Sequence, residues 1–254
     1  MPKPLLRFFQ TFYGIYLGLL FMLAVLSVVP PYLLAGLLAE SRRQRWYMSA
    51  NRYAMLAWSL LSGIRFRYEH RERLRPDRAY VCVTNHCNLL DMPSCAIGFI
   101  HPVRPLAKVE FARIPVLGFI FKRFCVLVER GSSESRRRSA MALVRTLGQG
   151  DSILLFPEGT RNRTPEPLQP FRDGAFRAAI DAQVPILPFV QIGMRELQEL
   201  NTLWFRPGWA LVRYLEPIET TGMTEADVPL LRERVRSLIE AELLREDPTF
   251  RNKR

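Results

Sequence analysis

In the stretch Asn85-His86-Cys87-Asn88-Leu89-Leu90-Asp91, at the end of the apolar run Ala79 to Thr84, a histidine precedes an aspartate by five positions. Histidine titrates nearest neutrality of the side chains, so it can take a proton from an alcohol and return it to a leaving group at working pH. A carboxylate on one ring nitrogen fixes the tautomer and stabilises the imidazolium that forms in the transition state. This is triad logic without an enzyme nucleophile, because a substrate hydroxyl can attack for itself. His86 is therefore the candidate general base and Asp91 its partner. The residues also admit plainer roles. Asp91, followed by Met92 and Pro93, suits a helix N-cap, since proline is tolerated in the first helical turn. Cys87 beside His86 could instead carry an acyl group, and Cys82, His86 and Cys87 could be imagined around zinc, although no second ligand pair stands at zinc-finger spacing.

A second such stretch is Pro157-Glu158-Gly159-Thr160-Arg161, after the apolar run Ser152 to Phe156. Glycine lets the backbone approach a ligand, arginine offers a planar fork of donors suited to phosphate, and Glu158 can accept a hydrogen bond from a hydroxyl beside that phosphate. A surface turn with a solvated arginine explains the same residues. Arg130 follows the run Phe124 to Glu129 as Arg161 follows its own. The run Arg136, Arg137 and Arg138 reads instead as a solvated helix face or a contact to anionic headgroups.

The elements that must position these groups follow from periodicity. Short β-type runs at 79–84, 124–129, 152–156, 185–190 and 210–215 alternate with helical patterns at 92–100, 111–122, 135–147, 172–183 and 225–244. That alternation predicts an α/β domain with a central, largely parallel sheet flanked by helices, spanning 65–254. Functional loops then gather at the carboxyl ends of the strands, where both stretches fall.

Residues 1–64 read as a hydrophobic and amphipathic helical membrane anchor. Thr11 to Val29 holds nineteen residues without a charge, about 28 Å as a helix against a bilayer core of about 30 Å. Pro30 and Pro31 break it, and Tyr32 to Ala39 is too short to cross back. Basic residues flank both ends, Lys3 and Arg7 before and Arg42, Arg43 and Arg45 after, so a bent, re-entrant or interfacial anchor with both ends on the cytoplasmic side is expected. An amphipathic helix over 46–64 joins it to the domain.

Composition sets the class of partner. A net charge of +12 calls for an anionic one: nucleic acid, acidic lipid or a phosphorylated substrate. No nucleic-acid motif is visible and aromatics do not interleave the basic run, which speaks against nucleic acid. Four cysteines are too few for a disulfide scaffold and fit a reduced, cytosol-facing protein.

Taken in order, NHCNLLD at 85–91, Ile114-Pro115-Val116-Leu117-Gly118 leading to Val128-Glu129-Arg130, FPEGTR at 156–161 and VPILPF at 184–189 resemble the four blocks of the glycerolipid acyltransferases. Within them the chain most resembles the 1-acylglycerol-3-phosphate acyltransferases. The resemblance implies that His86 is the general base and Asp91 its support. It implies that Arg130 and Arg161 bind the acceptor's phosphate while Glu158, Gly159 and Thr160 shape the pocket, with Lys108 nearby. It further implies acyl transfer from acyl-carrier protein or coenzyme A to a membrane lysophospholipid, without metal or other cofactor. Asn162, where serine is usual, and Pro165, Pro167 and Pro170 bear on acceptor preference, so another lysolipid or glycerol 3-phosphate stays open as acceptor. A basic membrane scaffold without catalysis is the rival of another class.

Overall fold

A computed structural model describes residues 3–129 and 131–251. At its centre is a sheet of seven strands: β1 (Ile64–Glu69), β2 (Val81–Val83), β3 (Val103–Lys108), β4 (Val126–Val128), β5 (Ser152–Leu155), β6 (Ile186–Ile192) and β7 (Gly208–Tyr214). Their order is β1-β7-β6-β2-β5-β3-β4, and every pairing is parallel except that of β6 with β7. The helices are α1 (Lys3–Ser27), α2 (Val29–Leu34), α3 (Glu40–Ser62), α4 (Asp91–Gly98), α5 (Leu117–Phe124), α6 (Ser133–Gly148), α7 (Gly174–Ala182), α8 (Met194–Leu197), α9 (Val228–Glu246) and α10 (Pro248–Arg251). The expected α/β domain with a largely parallel, helix-flanked sheet is what forms.

Alternation along the strands divides the core in two. Cys82, Leu154 and Leu187 face one side, where they pack with Trp58 of α3, Cys95 of α4, and Leu90 and Phe99 at the two ends of α4. Val81, Val83, Ile153, Leu155 and Ile186 face the other and meet Phe176 of α7 and Val235 and Ile239 of α9. Strands buried on both faces must be apolar throughout, which is why β2, β5 and β6 were readable as unbroken runs.

Two strands were not foreseen. β1 alternates Ile64, Phe66 and Tyr68 with Arg65, Arg67 and Glu69, but the helical pattern before it ran into Ile64 and hid its start. β3 contains Pro105, which ordinarily argues against a strand. Here β3 pairs with β5 through Val103–Pro105 and with β4 through Leu106–Lys108, so the proline sits where the ladder changes partner. The helix expected over 111–122 is divided: a short turn covers Val109–Arg113, and α5 begins only after Pro115 and Val116, the latter at φ +63°. The double proline falls where a break was expected, in the first turn of α2, where their missing N–H groups cost no helical hydrogen bond.

α3 runs back along α1. Tyr16 Oη donates to the Leu61 carbonyl (3.1 Å), Tyr13 Oη to that of Ser62, and Trp58 Nε1 to that of Leu17 (3.3 Å). At the other end of the pair Trp46 Nε1 donates to the Pro31 carbonyl (2.7 Å), and the Tyr32 and Tyr47 rings stack at 4.2 Å. The outward face of the pair is apolar: Phe8, Phe12, Ile15, Leu19, Met22, Leu23 and Leu26 on α1, and Tyr53, Leu56 and Leu60 on α3, are all exposed. The segment Arg7–Leu37 is long and apolar enough to cross a membrane. A contiguous apolar face of this extent is unusual on a protein surrounded by water.

Candidate active site

β2 and β5 lie side by side and end on the same edge of the sheet, so the loops after them meet. The chain leaves β2 through Thr84 and Asn85, both buried. Asn85 is locked to Gln191 on β6: its Nδ2 donates to the Gln191 carbonyl (3.0 Å), its Oδ1 accepts from the Gln191 N–H (2.9 Å), and Gln191 Nε2 donates to its carbonyl (3.2 Å). Ser94 Oγ of α4 lies within hydrogen-bond reach of both Gln191 Oε1 and the Asp91 carbonyl (2.9 Å), its one proton serving either oxygen. A buried polar chain thus fixes both ends of the loop that carries His86.

His86 is then held by its backbone and its ring. Its N–H donates to Glu158 Oε1 (2.8 Å), its carbonyl accepts from the Asn162 N–H (2.6 Å), and its ring stacks on Phe156 with centroids 4.1 Å apart. Its Nδ1 lies 2.7 Å from Asp91 Oδ2. Asp91 is wholly buried, and the same oxygen accepts from the N–H groups of Cys87 (2.7 Å) and Asn88 (2.9 Å). An acceptor so placed requires a proton on Nδ1, which leaves the lone pair on Nε2 as the base. Asp91 is the first residue of α4, with Leu90 at the cap position; its carboxylate turns back to the His86 loop and does not cap its own helix.

Cys87 is only 9% exposed, its Sγ lies 3.7 Å from Asp91 Oδ1, and burial followed by the Asp91 charge pushes its thiol well above the ordinary range. A nucleophilic cysteine needs the opposite setting. Among the described residues no three His, Cys, Asp or Glu side chains converge as metal ligands.

The turn after β5 brings the other expected residues in. Glu158, 3% exposed, points inward: Oε1 takes the His86 N–H and Oε2 the Gln169 N–H (2.9 Å). Burial raises its carboxyl to about 7, partly offset by those two donors. Gly159 adopts φ +76°, and a Cβ there would stand 2.6 Å from Arg172 Nε, so the position demands glycine. Thr160 is exposed. Arg161 lines a cavity of about 200 Å³ with Arg163, Cys87, Asn88, Gln198 and Asn201, immediately beside the His86 loop. Asn162 is buried and organises the turn beyond, accepting from the Thr164 N–H (3.0 Å) and donating to the Glu166 carbonyl (2.9 Å). Lys108 ends β3 on this edge, exposed, and does not line the cavity. Arg130 lies outside the described residues.

Sequence reasoning missed Asn85, Gln191, Phe156, Arg163 and Gln198, whose Oε1 accepts from the Leu89 N–H (2.9 Å). Gln191 carried a signal, a lone polar residue in an apolar strand; Gln198 carried none.

Comparison with known proteins gives the family and the fold. The family described as Acyltransferase matches residues 65–191. The chain is 32% identical over 203 residues to human 1-acyl-sn-glycerol-3-phosphate acyltransferase beta, covering 78% of this chain and 72% of that one. It is 31% identical over 237 residues to the human alpha enzyme, covering 92% and 80%. An uncharacterized acyltransferase of Schizosaccharomyces pombe is 35% identical over 185 residues, 72% of this chain and 66% of that one. The crystal structure of PlsC, the 1-acyl-sn-glycerophosphate acyltransferase of Thermotoga maritima, superposes with a TM-score of 0.75 at 21% identity, over 94% of this chain and 96% of that one, and shares its fold.

Proposed function

The chain belongs to the acyltransferase family, and from that premise we propose that it moves an acyl group from a thioester donor to the free hydroxyl of 1-acylglycerol 3-phosphate, forming phosphatidate. The observation that carries the reading is the 2.7 Å contact between His86 Nδ1 and a fully buried Asp91, together with the named activity of the human relatives.

In this mechanism His86 Nε2 takes the acceptor's hydroxyl proton as the oxygen attacks the thioester carbonyl carbon. Asp91 stabilises the imidazolium that results. When the tetrahedral intermediate collapses, the C–S bond breaks and the imidazolium returns the proton to the departing sulfur. The thioester is already activated, so positioning and proton transfer are the main tasks of the protein. Arg161 and Arg163, in the cavity beside Cys87 and Asn88, supply donors for the acceptor's phosphate, with Lys108 as a further cation on this strand edge; the resemblance adds Arg130 to the same role. Gly159 and Thr160 shape the turn that presents Arg161. Glu158 acts through the His86 backbone and not on the substrate. The reaction needs no cofactor beyond the acyl donor, acyl-carrier protein or coenzyme A.

Residues 1–64 serve as the anchor and 65–254 as the catalytic domain. Acceptor and product are amphiphiles confined to a leaflet while the donor comes from water, so an active site facing the cytoplasm at the bilayer surface suits both. The basic surface draws in an acidic donor.

The test is transfer of a labelled acyl group to lysophosphatidate, and to a panel of other lysolipids and glycerol 3-phosphate, with each donor in turn. His86→Ala should lose about 10²- to 10⁴-fold in rate with vesicle binding retained. Undiminished transfer by that variant would remove His86 as the base, and absence of transfer by the unaltered chain with every donor and acceptor would leave the scaffold reading.

A further inference from the structure

A second cavity, about 570 Å³, lies on the opposite edge of the sheet from His86, between the starts of α3 and β3, the end of α5 and the turn from α6 into β5. Arg43, Arg45, Arg104 and Arg123 line it, with Asp151 as the lining carboxylate. An adjoining cavity of about 480 Å³ shares Arg43, Tyr47 and Arg123, adds Lys122, and reaches Tyr32, Leu33 and Gly36 at the bend of the anchor.

Several of these guanidinium groups are held in place without being neutralised. Arg43 Nε donates to the Leu38 carbonyl (3.0 Å), and Arg104 Nε to that of Phe124 (3.4 Å). Arg123 lies 3.7 Å over the Phe119 ring and donates to the Phe119 carbonyl (3.1 Å). Arg104 forms a long ion pair with Asp151 (4.0 Å), so the cleft's charge rests chiefly on Arg43, Arg45 and Arg123. Backbone acceptors orient a guanidinium but leave its charge, which suits recognition of a phosphate oxygen. The other end of the paired cavities is apolar and continues into Leu33, Leu34 and Leu37, which are 62%, 57% and 86% exposed. A cationic cleft that opens along an apolar helix bend matches an amphiphile with an anionic head.

We propose that this cleft binds the headgroup of an anionic phospholipid, distinct from the acceptor at His86, and that the bound lipid fixes the anchor's bend against the domain. The lipid is a ligand and not a substrate, because the catalytic histidine stands at the far ends of the strands. The inference rests on the reading of residues 1–64 as an anchor. The shared chemistry is a phosphate ester, which a lipid or a free glycerol phosphate could provide.

The experiment measures binding of the full chain to phosphatidylcholine vesicles carrying rising fractions of phosphatidylglycerol. The cleft pair Arg45→Glu with Lys122→Glu is set against the control pair Arg145→Glu with Arg234→Glu, which changes the net charge equally on α6 and α9. Each charge at a membrane surface is worth roughly fivefold in affinity. The cleft pair should lose the phosphatidylglycerol effect by more than tenfold while keeping its phosphatidylcholine binding, and the control pair should keep most of the effect. Equal losses in both pairs would mean undifferentiated surface charge and overturn the proposal. Release from phosphatidylglycerol vesicles by millimolar glycerol 3-phosphate would give the cleft to a soluble ligand and overturn it also. Failure of the unaltered chain to bind any vesicle would overturn the anchor reading together with it.

Discussion

Glu158 and His86 meet through one carboxylate oxygen and one backbone N–H, 2.8 Å apart, while the imidazole itself turns away toward Asp91. With the Asn162 N–H on the His86 carbonyl, the turn after β5 holds both polar backbone groups of the catalytic residue. The third sequence block is therefore the frame of the first as well as a source of arginine.

Glu158→Gln keeps the size of the side chain but offers one acceptor where two backbone donors wait. Its kcat is expected to fall about 10- to 100-fold, the loss associated with a misplaced catalytic group, while the KM for lysophosphatidate stays near its original value. Steady-state kinetics separate the two. A raised KM at unchanged kcat would make Glu158 a substrate contact.

The same residue should shape stability against pH. Its carboxyl is raised to about 7 in the folded chain from an ordinary 4.5, so between those values the folded state holds a proton that the unfolded state has released. Stability from this group is present at low pH and lost as pH rises through about 7, a change on the order of 3 kcal/mol. Ionised Glu158 is the better acceptor for two N–H groups, so activity should rise over the range in which stability falls. Thermal melting of the unaltered chain and of Glu158→Gln between pH 5 and 8 checks this, and the variant's profile should be the flatter.

Asp91→Asn leaves an amide where one carboxylate oxygen receives three donors. Loss of the imidazolium's partner should cost about 10²- to 10⁴-fold in kcat, and the unpaired backbone donors about 1–3 kcal/mol in stability. Single-turnover transfer and chemical denaturation read the two effects separately.

Cys87→Ala should leave acyl transfer within a few-fold, at a stability cost of about 1–2 kcal/mol for a small buried side chain. No acyl-enzyme should be trapped on the unaltered chain by rapid quench. A stoichiometric thioester at Cys87 would reverse this conclusion.

Gly159→Ala puts a Cβ against Arg172 at a φ that alanine avoids. A loss of about 1–3 kcal/mol together with reduced activity is expected, because the turn that moves also carries Glu158 and Arg161. Calorimetry and the transfer assay measure both.

His86 and Asp91 were legible in the sequence because one seven-residue loop carries the whole pairing. The hold of Glu158 on the His86 N–H was not, since it joins a side chain to a backbone group 72 positions away and leaves no mark on residue type at the receiving end. The strands β2, β5 and β6 announced themselves by apolar runs. β1 was overrun by the helix before it, and β3 was masked by Pro105, whose position between two ladders only the pairing reveals. The arginine cleft draws on five separate segments, so no local pattern could have gathered it.

The antiparallel docking of α1 on α3 bears on any attempt to obtain a water-soluble form. Trimming off α1 would remove the partners of Trp58, Leu61 and Ser62 and bare a fresh greasy flank on α3, whose own outward face already carries Tyr53, Leu56 and Leu60. Truncation should therefore yield aggregate. Repainting the outer stripe of an intact hairpin with polar residues is the route the packing favours.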